Sequence, residues 1–231
     1  ADARSPCAQG MTKPIIVTDF AYKGVKRTGR GTGHQGLRST LKYYQFREDR
    51  NTPAPQETDH ERWVDRGLGQ HYREIFTRCD NLQSKHVLAW TWVVSPSPDL
   101  MAIVPEDQRR DLVSDLTERI VEAYYTARGF DVPEYALVLH DRMTTPEDGS
   151  MPLQHLHTHV VLPGTAPLPG ADRAPVYNNK DKGHDALIRE IGTRLFAETL
   201  DEIVGPEWRL LREAPEPSAP DHARGDEFMD R

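Results

Sequence analysis

The sequence predicts an α+β fold, an antiparallel β-sheet of about five strands flanked by α-helices. Three observations carry this. Short runs rich in β-branched and aromatic residues alternate with segments whose apolar residues recur every three to four positions. Two of the runs are joined only by a turn-rich insert, which makes them antiparallel neighbours. The remaining helical segments then have to cover the sheet within one domain.

In chain order, PIIVTDF (14–20) reads as the first strand. GLRSTLKYYQFRED (36–49) reads as a helix with Leu37, Leu41 and Tyr44 near one face. HERWVDRGLGQHYREIFTRC is expected as short helical pieces around the breaker Gly67-Leu68-Gly69. KHVLAWTWVVS (85–95) is a strand that stops at SPSPD. Pro105 opens an amphipathic helix to about Arg128, with Leu112, Leu116, Ile120 and Tyr124 recurring every four residues. PEYALVLHD (133–141) is the next strand, and its parity puts Ala136, Val138 and His140 on one face. The insert RMTTPEDGSMP leads into a strand through HLHTHVVLP; after a Pro/Gly loop and a short VYNN, a helix runs from His184 to Val204. Residues 1–13 are expected to be flexible, 14–210 to form one domain, and 211–231, proline-rich and acidic, to be disordered.

Bulk properties narrow the class. With 231 residues and 37% hydrophobic content the chain can bury a real core, and no apolar run reaches the length a membrane helix needs. The start, ADARSPCAQGMTKP, lacks the apolar stretch of a secretory signal and lacks Met, so a trimmed or processed end and no membrane partner are expected. Cys7 and Cys79 are too few for a disulfide framework and have no zinc spacing, which points to a reducing cytoplasm. A net charge of −7 argues against a general nucleic-acid coat. Yet Lys23, Lys26, Arg27, Arg30, Arg38 and Lys42 form a basic, glycine-rich stretch without acidic residues, suited to a solvated loop or to holding an anion.

The chemistry concentrates in HLHTHVV. On a strand, His155, His157 and His159 share one face while Leu156, Thr158 and Val160 take the other. Pairing with the preceding strand would bring His140 beside His157 and His159, a three-histidine site with positions left open for substrate. His60, His71 and His184 are expected to be surface histidines. Trp90 and Trp92 are expected in the core, and Trp63 is the better candidate for stacking on a base, as is Tyr22.

LVLHDR followed by LHTHVVLPGT resembles the third motif of the HUH-type conjugative relaxases, the mobilisation nucleases. LRSTLKYYQFRED resembles their N-terminal tyrosine motif, and AWTWVVSPSPDLMAIVPEDQR the strand-then-SP segment between the two. A tyrosine placed ahead of the histidines is the relaxase order. The resemblance implies a sequence- and strand-specific endonuclease that nicks single-stranded or supercoiled DNA at an origin of transfer, with accessory transfer proteins as partners, and stays joined to the 5′ end through a phosphotyrosine. It assigns the nucleophile to Tyr43, with Tyr44 second; a helix turns about 100° per residue, so the two cannot both face the metal. Leu37 and Leu41 share Tyr44's side, which marks Tyr44 as the core member.

His140, His157 and His159 take the metal-ligand roles. The family implies Mn²⁺ or Mg²⁺, whereas a histidine-only donor set suits Zn²⁺, Co²⁺, Ni²⁺ or Mn²⁺. Ligating rings need an acceptor behind them, for which Asp19 and Asp141 are candidates, with His155 beside the site. The basic stretch would deliver a DNA phosphate to Tyr43, with Asn179, Lys180 and Lys182 further along the groove. Two other readings stay open: a histidine-triad nucleotide hydrolase, in which His157 attacks a phosphate without metal, and a non-catalytic origin-binding protein.

Overall fold

The computed structural model describes residues 14–26, 33–46, 62–144, 151–170, 172–176 and 183–213. The expectations placed on Cys7, Arg27, Arg30, His60, Asn179, Lys180, Lys182 and the acidic tail beyond Glu213 lie outside the described residues; the start of that tail, 211–213, is not disordered as expected but completes a short helix after Trp208. Five strands form one sheet: β1 (Ile16–Gly24), β2 (Trp63–Arg66), β3 (Val87–Pro96), β4 (Tyr135–Thr144) and β5 (Leu153–Pro163). Their order is β1-β3-β5-β4-β2 and every pairing is antiparallel, so the fold is the α+β arrangement expected. The histidine strand β5 is central. Among the described residues no helix is long and apolar enough to cross a membrane.

Helices α1 (Gly33–Phe46) and α2 (Tyr72–Asn81) cover one face; α4 (Arg109–Ala127) and α5 (His184–Val204) cover the other. Strand parity divides the side chains. Trp90, Trp92, Val94, Leu137, Leu156, Val160 and Leu162 point to α4 and α5, where they meet Leu116, Ile120, Ile188 and Phe196. Ala136, Val138 and Val161 point to α1 and α2, meeting Leu37, Leu41, Ile75 and Cys79. Thr158 is a buried hydroxyl on the first face; it bonds Thr117 of α4 at 2.7 Å, so its own oxygen is paired. Helix α5 lies close on β1 because Gly192 has no Cβ, which would otherwise stand 2.5 Å from a methyl of Thr18.

The segment Trp63–Arg66 corrects the sequence reading. It is not helical but a short edge strand, with Trp63 in register with Val138. The Asp65 carboxylate accepts the backbone N–H of Gly67 and Gly69 at 2.7 and 2.8 Å and ends the strand in a turn. Both glycines have φ in the left-handed region, so the breaker was read correctly and the element before it was not. Trp63 is therefore core, 7% exposed, with Nε1 donating to Gln45; it offers no ring for base stacking. SPSPD does not merely stop β3. Pro98 begins a short helix, α3 (Pro98–Ile103), where its missing N–H costs nothing.

Three further elements are small: β6 (Ala166–Pro167) pairs with β7 (Arg173–Ala174), and α6 (Leu210–Glu213) follows Trp208. His184 also departs from the surface role expected. It is buried at the start of α5, with Nδ1 2.8 Å from the Tyr124 hydroxyl.

Candidate metal centre

The pairing of β4 with β5 sets His140 directly opposite His157, and Val138 opposite His159. Side chains in register share a face, so the three imidazoles converge. Ring centroids are 5.3 Å apart for His140 and His157, 4.7 Å for His140 and His159, and 5.2 Å for His157 and His159. One nitrogen from each lies within 4.8 Å of the others, and all three side chains are buried. Ligands at about 2.1 Å from one ion stand about 3.4 Å apart in a tetrahedral site, so small ring movements close the cage.

The hydrogen bonds choose the nitrogens. A carbonyl only accepts, so His140 Nε2, 2.7 Å from the Tyr44 carbonyl oxygen, is the protonated nitrogen and Nδ1 keeps the lone pair. His157 Nδ1 makes a long contact, 3.4 Å, with the carbonyl of His155, which leaves Nε2 as its lone-pair nitrogen. His159 has its Nδ1 buried with no hydrogen-bond partner among the described residues. Burial, then the neighbouring His140, His157 and Arg142, push its pKa down to about 2. A neutral, desolvated imidazole is what a metal ion needs from a ligand. The donor set therefore fits a divalent ion, and a borderline transition metal better than Mg²⁺, which prefers oxygen.

The acceptors behind the His140 and His157 rings are backbone carbonyls, not the carboxylates expected. Asp19 is in register with Val93, which is in register with His159. It faces the same side but two strand spacings away, about 10 Å, and is exposed. Asp141 lies on the opposite face. Its carboxylate binds Arg110 at 2.7 Å and accepts from Gln154 Nε2 at 3.0 and 3.1 Å. Neither takes the role given to it from sequence. His155 does border the cage, 5.2 Å from the His157 ring, and its Nε2 is 2.8 Å from Ser95 Oγ. Burial and then Arg142 lower its pKa.

The tyrosine pair closes the site from α1. Both tyrosines border the cage, on different sides of the helix end. Tyr44 is buried and stacks on His159, centroids 4.0 Å apart and planes 15° apart. Burial raises its pKa, opposed by a side-chain hydrogen bond to Thr91. Tyr43 is half-buried, its ring 6.5 Å from that of His140, and its hydroxyl oxygen accepts from Arg142 Nη2 at 3.0 Å. The helix end is anchored by Gln45, 1% exposed, whose Oε1 accepts from the Tyr72 N–H at 2.8 Å and from Trp63 Nε1 at 3.3 Å.

Sequence reasoning missed Arg142, Gln45 and Ser95. For Arg142 the signal was present: it stands two residues beyond His140 on a strand, hence on the same face. Of the basic stretch, Arg38 lies over the Phe76 ring at 4.7 Å and Lys42 over Tyr72 at 5.7 Å, both leaning toward α2. Lys23 lies one residue before the end of β1, Lys26 follows the strand exposed, and Tyr22 is 60% exposed beside Trp90.

A buried three-histidine group on the two paired inner strands of an antiparallel sheet is compatible with the HUH-type fold. In comparison with known proteins, no family model matches the chain and no curated protein matches it either.

Proposed function

We propose that this protein is a metal-dependent DNA-nicking and strand-transfer endonuclease, a relaxase acting in the cytoplasm on single-stranded or supercoiled DNA at an origin of transfer. One observation carries the reading. A phenol hydroxyl from a distant helix sits at the rim of the three-histidine cage, held by a guanidinium.

His140, His157 and His159 would hold the divalent ion, Mn²⁺ by preference over Mg²⁺ on donor type. Bound there, the ion would supply charge to a non-bridging phosphate oxygen. Tyr43 is the nucleophile. Its oxygen gives its proton to water and forms the new bond to phosphorus. The bond from phosphorus to the 3′ oxygen breaks with its electron pair, and that oxygen takes a proton from water. The phosphotyrosyl bond conserves the energy of the broken one, so a returning 3′ hydroxyl can reseal the strand. Tyr44 packs over His159 and keeps that side of the cage dry; its buried hydroxyl suits a structural part, not attack.

The histidine-triad alternative needs His155, His157 and His159 to work as one unit. Here His155 is bonded to Ser95, and the cluster recruits His140 from the neighbouring strand. That speaks for the nuclease.

The test is a random single-stranded oligonucleotide pool labelled at its 3′ end, incubated with the protein and Mn²⁺. A labelled protein band that survives SDS is expected, absent in Tyr43→Phe and in His157→Ala. Absence of any adduct with the wild type, or its persistence in Tyr43→Phe, overturns the proposal.

A further inference from the structure

Arg142 shares the cage's face of β4, one step outward from His140, and is directly opposite His155 on β5. A site built only to hold a cation gains nothing from a guanidinium at its rim, because like charges repel at this range. Such a group belongs where negative charge arrives. Its Nη2 donates to the Tyr43 phenol oxygen at 3.0 Å, across 99 residues of sequence. The three ligating rings, the phenol and the guanidinium thus occupy one rim, with the anion-favouring group on the side where a phosphate would meet Tyr43.

We infer that Arg142 is a catalytic residue of the nicking reaction: it aims the Tyr43 hydroxyl and holds the charge that gathers on that oxygen and on the phosphate. This rests on the relaxase reading above. In attack the Tyr43 oxygen loses its proton to water as it bonds to phosphorus. In resealing the same oxygen is the leaving group and recovers a proton from water. Arg142 takes no part in either proton transfer, so one group serves both directions. Its planar fork can present N–H groups to the phenol oxygen and to a phosphate oxygen together, which a lysine ammonium matches only in charge.

Two measurements test this. In the first, the metal-free protein is treated with an aryl sulfonyl fluoride, and modified tyrosines are identified by peptide mass spectrometry. The tyrosine oxygen bonds to sulfur, fluoride leaves, and the phenol proton goes to buffer, so the readout is the reactivity of the Tyr43 oxygen without DNA or metal. Tyr43 is expected to react about tenfold faster in the wild type than in Arg142→Gln, with Arg142→Lys between, as befits loss of one charged donor. Equal rates overturn the inference.

In the second, the 3′-labelled random pool with Mn²⁺ is used, and Arg142→Gln is expected to form adduct about 100-fold more slowly. Guanidinium ion should partly restore Arg142→Ala. Co²⁺ binding, followed by its visible absorption, should be unchanged or tighter in Arg142→Gln; loss of Co²⁺ binding would make Arg142 a structural residue and overturn the inference. Arg142-dependent labelling without any wild-type DNA adduct would sink the relaxase reading while leaving Arg142 as the group that activates Tyr43. Adduct formed at equal rates in wild type and Arg142→Gln would do the reverse.

Discussion

On one face of the sheet, Trp92, Leu137, Leu156 and Val160 meet α4 and α5 through a continuous apolar layer. On the other, Val138 and Val161 meet α1 and α2 through a smaller apolar patch that gives way to three imidazoles and a tyrosine pair. The strands are the same; only the parity differs. On the sealed face Thr158 is satisfied by a hydroxyl from α4. On the cage face the polar groups are titratable, and their rings are oriented by carbonyls of α1 and of β5 itself. The first face is packed mainly with apolar side chains, and the second gives up part of that packing to hold three buried imidazoles together.

Phe196→Ala strikes the sealed face at a fully buried ring of α5. It should cost about 3–5 kcal/mol in urea denaturation, with Co²⁺ affinity of the folded protein unchanged. A cost near zero would show that the sealed face is not the main support of the fold. His159→Ala is the matching test on the cage face. Removing a ligand should lower Co²⁺ affinity by at least the roughly 100-fold that outer partners of a metal site are worth, as read by titration calorimetry. Gln45→Ala strands the buried Tyr72 N–H and Trp63 Nε1 and should destabilise by about 1–3 kcal/mol. A negligible change would mean that the end of α1 is anchored elsewhere.

Cys79 sharpens the contrast from within the apolar part of the cage face. Burial, then the adjacent Asp80 charge, push its thiol up to about 12. It should therefore stay protonated and unlabelled by iodoacetamide from pH 7 to pH 10 in the native protein, and react once urea unfolds it. The smallest effects belong to the two carboxylates assigned to the cage from sequence. Asp19→Asn should leave Co²⁺ affinity within about twofold, since it lies about 10 Å from His159. Asp141→Asn should do the same, since its contacts, a partly exposed pair with Arg110 worth about 0–1 kcal/mol and the bonds from Gln154, all lie on the opposite face.

The fold was legible wherever a residue's role is set by its immediate neighbours. Apolar residues at four-residue spacing marked α4 and α5, β-branched and aromatic content marked β3, and alternation marked β4 and β5. Trp63 was misread because a four-residue strand carries too little alternation to be told from a helix turn, and only its pairing with β4 decides it. His184 was misread for a related reason: nothing nearby in sequence announces that Tyr124, 60 residues away, will meet it. The acceptors behind His140 and His157 were invisible, since every residue has a carbonyl and sequence does not say which one is aimed.

By itself the sequence determined the fold class, the shared face of His157 and His159, and the different sides of α1 taken by neighbouring tyrosines, because a strand's period of two and a helix turn of about 100° are properties of the local backbone. Only the tertiary structure decided that His140 stands opposite His157, that Tyr44 lies on His159 while Tyr43 reaches Arg142, and that Asp141 turns away. Strand register and helix docking are settled by packing between segments far apart in the chain, and local patterns do not encode that packing one residue at a time.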